Sequence, residues 1–132
     1  MASPRPTLGE LLEAVQEFLE KRIVKVLDPH RAFHARVAVN VLALVRRELQ
    51  LGPPLAAREQ ERLRALLGTD GGLAELNGEL CRRLRDKRLD YRDGDLIHHL
   101  YETTLGQVSI DNPEYSGYRR ALEEGSSGTK PK

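Results

Sequence analysis

The chain is poor in the residues that build covalent crosslinks and dense metal sites: it holds one cysteine, Cys81. A single thiol forms no internal disulfide, and a cysteine-rich metal site is excluded. It also lacks an excess of charge of either sign. Lys and Arg number 21 against 20 Asp and Glu, a formal charge of +1. No whole-molecule field therefore draws it to nucleic acid, membrane or acidic ligands. Long apolar runs are missing too. The longest, Ala35 to Val45, is interrupted by Arg36 and Asn40, far short of the ~20 residues a helical span needs. Met1-Ala2-Ser3-Pro4-Arg5-Pro6 has no apolar core like a signal peptide's. Period-two alternation, internal repeats, a Walker motif and a kinase catalytic loop are all absent. The expectation is a soluble, cytoplasmic protein with no ATP site of its own.

What is present is helical periodicity. At 132 residues the chain is one domain by length, large enough to bury a core. Thr7-Leu8-Gly9-Glu10 reads as a capping box, and Leu8, Leu11, Leu12, Val15, Phe18, Leu19, Ile23 and Val26 then share one stripe. Asp28-Pro29 stops that helix and starts a second, Arg31 to Leu51, whose wide apolar surface (Phe33, Val37, Val41, Leu44, Val45, widened by Ala38, Leu42 and Leu49) marks it as the central helix. Gly52-Pro53-Pro54 reads as its end. Leu55 to Leu67 is mostly charged and is expected to cover an edge. Gly68 to Gly72 is a turn, and Leu73, Leu76, Leu80 and Leu84 mark a fourth helix. A fifth, capped by Asp93 or Asp95, carries Leu96, Ile97, Leu100, Leu105 and Val108. The predicted fold is an all-α, single-domain bundle of about five helices around a central apolar helix. Residues 1–6 are expected to be a flexible N-terminus, 7–124 the helical domain and 125–132 a disordered tail.

The chemistry-bearing residues form few constellations. Asp95-x-x-His98 has carboxylate–histidine spacing but no second pair to complete a di-iron site. His30 and His34 are four apart with Arg31 where a zinc hydrolase places Glu. His98 and His99 therefore read as a solvated face, and no metal, cofactor or catalytic residue is assigned. Cys81 reads as a semi-buried spectator. The run Arg82-Arg83-x-Arg85-x-Lys87-Arg88 lacks interleaved aromatics and reads as a solvated face rather than an RNA site. His34, Arg36 and Asn40 are polar residues within the most apolar helix, so they face either solvent, a hydrogen-bonded interior or another chain. All four tyrosines lie in the last third, and Asn112-Pro113-Glu114-Tyr115-Ser116-Gly117-Tyr118-Arg119 is polar, aromatic and turn-rich. Asn112, Tyr115, Tyr118 and Arg119 suit either a lock onto the protein's own helices or a partner surface.

Four blocks together carry a resemblance: Thr7-x-x-Glu10-Leu11-Leu12; Phe33-His34-Ala35-Arg36-Val37-Ala38 through Arg47-Glu48-Leu49-x-Leu51-Gly52; Leu76-Asn77-x-Glu79-Leu80-Cys81-Arg82-Arg83; and Asp111-Asn112-Pro113-x-Tyr115-Ser116-Gly117-Tyr118-Arg119. Over Thr7 to Arg119 the chain resembles a small bacterial family of helical proteins of unknown function. Members are typically encoded beside an aminoglycoside-phosphotransferase-like kinase and an acyl-CoA dehydrogenase. The resemblance implies an accessory subunit or activator of a kinase that phosphorylates hydroxyacyl-CoA compounds. It carries no catalytic residue with it. A small acyl-CoA-binding protein or enzyme using His34, Arg36, Asn40 and Arg119, or a structural homodimer, is the alternative.

Overall fold

The computed structural model describes residues 4–127. Five α-helices run in order: α1 (Leu8–Phe18), α2 (Pro29–Leu67), α3 (Leu73–Arg85), α4 (Gly94–Asp111) and α5 (Ser116–Ser127). No strand occurs among the described residues, so the all-α expectation holds. No separate helix was expected after the one carrying Leu96 to Val108, only a turn-rich cluster and a disordered tail from 125; α5 instead runs from Ser116 through Ser127, and residues 1–3 and 128–132 lie outside the described part. Two compact units meet in sequence between Gly52 and Pro53.

In the first unit the capping box forms as expected. Glu10 N–H donates to Thr7 Oγ1 at 3.1 Å, and Thr7 N–H donates to Glu10 Oε2 at 2.7 Å. Past Phe18 the helix widens into a π turn, Leu19–Ile23, where Val24 N–H reaches the Leu19 carbonyl. It then tightens to a 3₁₀ turn, Val24–Val26. Leu27 is extended, and Asp28 caps α2 by accepting from Arg31 N–H at 2.9 Å. The result is an antiparallel hairpin: Arg46 on α2 donates to Gln16 at 3.0 Å and pairs with Glu13 at 3.3 Å. Two helices can bury only one side of each. From Arg31 to Leu51 only Ala32 and Val39 are buried; Leu42 and Leu44 are half-buried, and Phe33, Val37, Val41, Val45 and Leu49 are exposed. The stretch with the widest apolar face, Arg31 to Leu51, does not hold the core.

The expected stop at Gly52-Pro53-Pro54 also fails, because α2 runs on through both prolines. Proline's fixed φ is itself helical, and what it removes is its own N–H bond and space beside the preceding residue. With glycine before Pro53, the Cβ part of that pre-proline clash is gone. The charged segment Leu55 to Leu67, expected at an edge, holds instead the most buried side chain among the described residues, Leu63.

That core lies in the second unit. Leu63 and Leu67 of α2, Leu76 and Leu80 of α3 and Leu96 of α4 cluster, with Leu66, Leu73, Leu84 and Leu89 against them. Leu63 has no exposed surface. Gly68 ends α2 at φ 64°, the left-handed conformation that a glycine takes at no steric cost. Arg83 Nη1 donates to the Leu67 carbonyl at 2.8 Å while its Nε donates to Glu79, so one member of the arginine run ties α3 to the end of α2. The C-terminus of α3 is closed by Lys87 N–H to the Leu84 carbonyl and Arg88 N–H to the Arg83 carbonyl, with Lys87 at φ 57°. This is a Schellman closure with lysine where glycine is usual. Asp93, rather than Asp95, caps α4, accepting from Leu96 N–H at 3.0 Å.

Candidate functional site

Polar side chains meet between the last turns of α2 and the first turns of α4, both within the second unit. Arg62, Ala65 and Leu66 (i, i+3, i+4) face Asp95, His98 and His99 (again i, i+3, i+4) around an open cleft of about 270 Å³. His99 is 3% exposed, the one buried polar side chain among the described residues. Its Nδ1 accepts from Arg62 Nε at 3.3 Å, and Arg62 Nη2 donates to Thr103 Oγ1 at 3.0 Å.

These bonds decide the state of the ring. A guanidinium only donates, so His99 Nδ1 must offer its lone pair, and the neutral ring then carries its proton on Nε2. Burial lowers the His99 pKa from its ordinary value. The Arg62 charge adds to this, and so does His98; Glu59 opposes it. The imidazole is thus held neutral at pH 7. Among the described residues no buried side-chain nitrogen or oxygen lacks a hydrogen bond. Among the described residues Nε2–H has no hydrogen-bond partner, so it retains some contact with solvent, and His99 lines the cleft. Arg62, half-buried, has no carboxylate within ion-pairing range among the described residues.

The solvated face expected for His98 and His99 is therefore half right. His98 is exposed, but His99 points inward as the polar member of an otherwise core-facing stripe, Leu96, His99, Thr103, Gly106 and Ile110. That spacing was readable in the sequence; the partner, Arg62, lies 37 residues away. With Nδ1 engaged by a cation, Asp95, His98 and His99 do not form a ligand set. No group of three or more His, Cys, Asp or Glu converges to hold a metal among the described residues.

The residues singled out for partner binding lie elsewhere. His34, Arg36 and Asn40 are all exposed on α2 in the first unit. His34 stands edge-on to His30, ring centroids 4.8 Å apart, and to Phe33 at 5.5 Å. The hydrogen-bonded interior is thereby excluded for this group. In the second unit Asn112 closes α4, donating to the Val108 carbonyl at 2.8 Å, and its own carbonyl accepts from Tyr115 N–H at 3.1 Å. Tyr115 is exposed and lies over Gly117, where a Cβ would meet the ring at 2.6 Å. Tyr118 is half-buried, and Arg119 is exposed and paired with Glu114. Cys81 is exposed rather than semi-buried, because α3 turns Leu76 and Leu80 inward and the residue after Leu80 outward.

Residues 25–115 match the model of a family described as a domain of unknown function, DUF6285, and the chain belongs to that family. The match takes in the Phe33 and Leu76 blocks whole and the terminal block as far as Tyr115; the Thr7 block and Ser116 to Arg119 fall outside it. No curated protein and no solved structure matches the chain. Among the described residues no helix is long and apolar enough to cross a membrane.

Proposed function

We propose that this DUF6285 protein is a non-catalytic accessory subunit or activator, working in the cytoplasm with an aminoglycoside-phosphotransferase-like kinase that acts on hydroxyacyl-CoA compounds in acyl-CoA catabolism. One observation supports the reading above the rest: the first unit leaves Leu8, Leu11, Val15 and Phe18 of α1 and Phe33, Val37, Val41, Val45 and Leu49 of α2 exposed. On α2 these residues recur every four positions along one face, and an apolar face of this kind marks an interaction site more often than a solvent face. His34, Arg36 and Asn40 flank it on α2 and supply polar groups for a rim. Tyr115, half in water over Gly117, and Asn112, Tyr118 and Arg119 beside it offer a second set of anchors of the type enriched at interfaces. The identity of the partner rests on the family resemblance.

The test is calorimetric titration of the kinase with wild-type protein, a Phe33→Asp/Val41→Asp variant and a Tyr115→Ala/Tyr118→Ala variant. Loss of more than ~2 kcal/mol of binding in either variant, the scale of an interface hot spot, with melting temperatures unchanged, supports the accessory role. Affinities equal to wild type in both would remove it. Self-association abolished by Phe33→Asp/Val41→Asp, without kinase binding, would favour the homodimer instead.

A further inference from the structure

We propose that the α2–α4 cleft of the second unit binds a small monocarboxylate, held by the Arg62 guanidinium and the His99 Nε2–H. A half-buried guanidinium normally meets a carboxylate, since partial desolvation makes an uncompensated charge costly. Arg62 instead spends Nε and Nη2 on two neutral acceptors, His99 Nδ1 and Thr103 Oγ1. Those bonds fix the fork and leave the Nη1 donors uncommitted. The ring that orients it is almost wholly buried, and its remaining donor opens toward solvent. Two donors from separate helices thus border a space lined by Ala65 and Leu66, which suits a ligand with an anionic head and a short apolar body.

Charge and size narrow the class. Asp95 lines the same cleft and Glu59 lies close enough to act on His99. Both repel a dianion more than a monoanion, so phosphate is disfavoured against carboxylate. About 270 Å³ leaves room for a ligand the size of butyrate or benzoate.

Titrating the full chain with butyrate, benzoate, butyramide and inorganic phosphate, while following the His99 ring resonances, tests this. Carboxylate binding that moves those resonances and exceeds butyramide and phosphate binding is the expected result. Arg62→Gln should weaken it about ten- to hundredfold, the worth of a charge-assisted hydrogen bond. Asp95→Asn, an exposed change that leaves the fold alone, should tighten carboxylate binding and narrow the margin over phosphate. If Arg62→Gln does not fold, the wild-type and Asp95→Asn titrations decide the matter. The assignment is overturned by no carboxylate binding to wild type, by butyramide or phosphate binding equally well, or by Arg62→Gln retaining full affinity.

Discussion

The two units spend similar apolar material in opposite ways. In the first, leucine, valine and phenylalanine recur at helical spacing on both helices, yet among its described residues only Ala32 and Val39 are buried. In the second, a sparser set of leucines on three helices closes a core in which Leu63, Leu76 and Leu96 are at most 2% exposed. Burial is a property of the arrangement: three helices enclose a volume between them, whereas two share only a seam. An apolar stripe therefore says that a helix has something to cover, without saying that its own chain covers it.

The sharpest way to break this comparison is to truncate both sides. Leu63→Ala should cost ~2–5 kcal/mol, since the site is fully enclosed. Leu42→Ala or Leu44→Ala, each half-buried on the hairpin, should cost roughly half of that or less. Urea denaturation of the three variants measures both. Equal losses would mean that the hairpin is as well packed as the three-helix core.

Next in size is a pH effect confined to the second unit. The folded-state pKa of His99 lies below the unfolded value, because burial and Arg62 disfavour the imidazolium. The unfolded chain thus binds more protons below about pH 6.5. The contribution is fully present above that pH and is lost as pH falls toward the folded-state pKa, at no more than ~1.4 kcal/mol per pH unit. Melting temperature should drop on acidification from pH 7.5, and His99→Gln should flatten this component. Glu79, whose pKa is lowered by hydrogen bonds from Arg83 and then Arg82, adds a separate loss at more acidic pH, as its carboxylate protonates. A profile in His99→Gln identical to wild type would contradict the buried neutral ring.

Smaller again, Lys87→Gly should stabilise by about 1 kcal/mol, because the φ of 57° strains any residue with a Cβ. Thermal melting reads it, and a destabilised variant would mean that the lysine side chain matters more than its backbone. The smallest effect is expected on the hairpin surface. Phe33→Ser or Val41→Glu should change the stability of the isolated protein by no more than ~0.5 kcal/mol, the usual range for exposed sites. A loss of several kcal/mol would show that the face is covered in the native state in solution.

Much of this was legible in the residues themselves. The capping box at Thr7 and Glu10, the Asp28-Pro29 junction, the turn at Gly68 and a cap at Asp93 or Asp95, which the structure places at Asp93, rest on local backbone chemistry. Such chemistry acts within four residues and is written in sequence order. The all-α class follows from periodicity for the same reason. Gly52-Pro53-Pro54 was misleading because a proline pair weakens a helix without forbidding it; whether the helix survives depends on the helical segments on both sides.

Only the tertiary structure decided where the core sits and which histidine matters. Leu63 and Leu67 belong to a stretch so charged that its composition suggests an edge, yet they meet Leu76, Leu80 and Leu96 from two other helices. His99 differs from His98 by one position, about 100° around α4, and that rotation turns one ring inward to Arg62 and the other outward. The sequence by itself determined the all-α class and the local features at Thr7, Asp28 and Gly68, since those are settled by near neighbours. The all-leucine core, the neutral buried imidazole and the guanidinium hydrogen-bonded to it arise from residues tens of positions apart, and only folding brings those together.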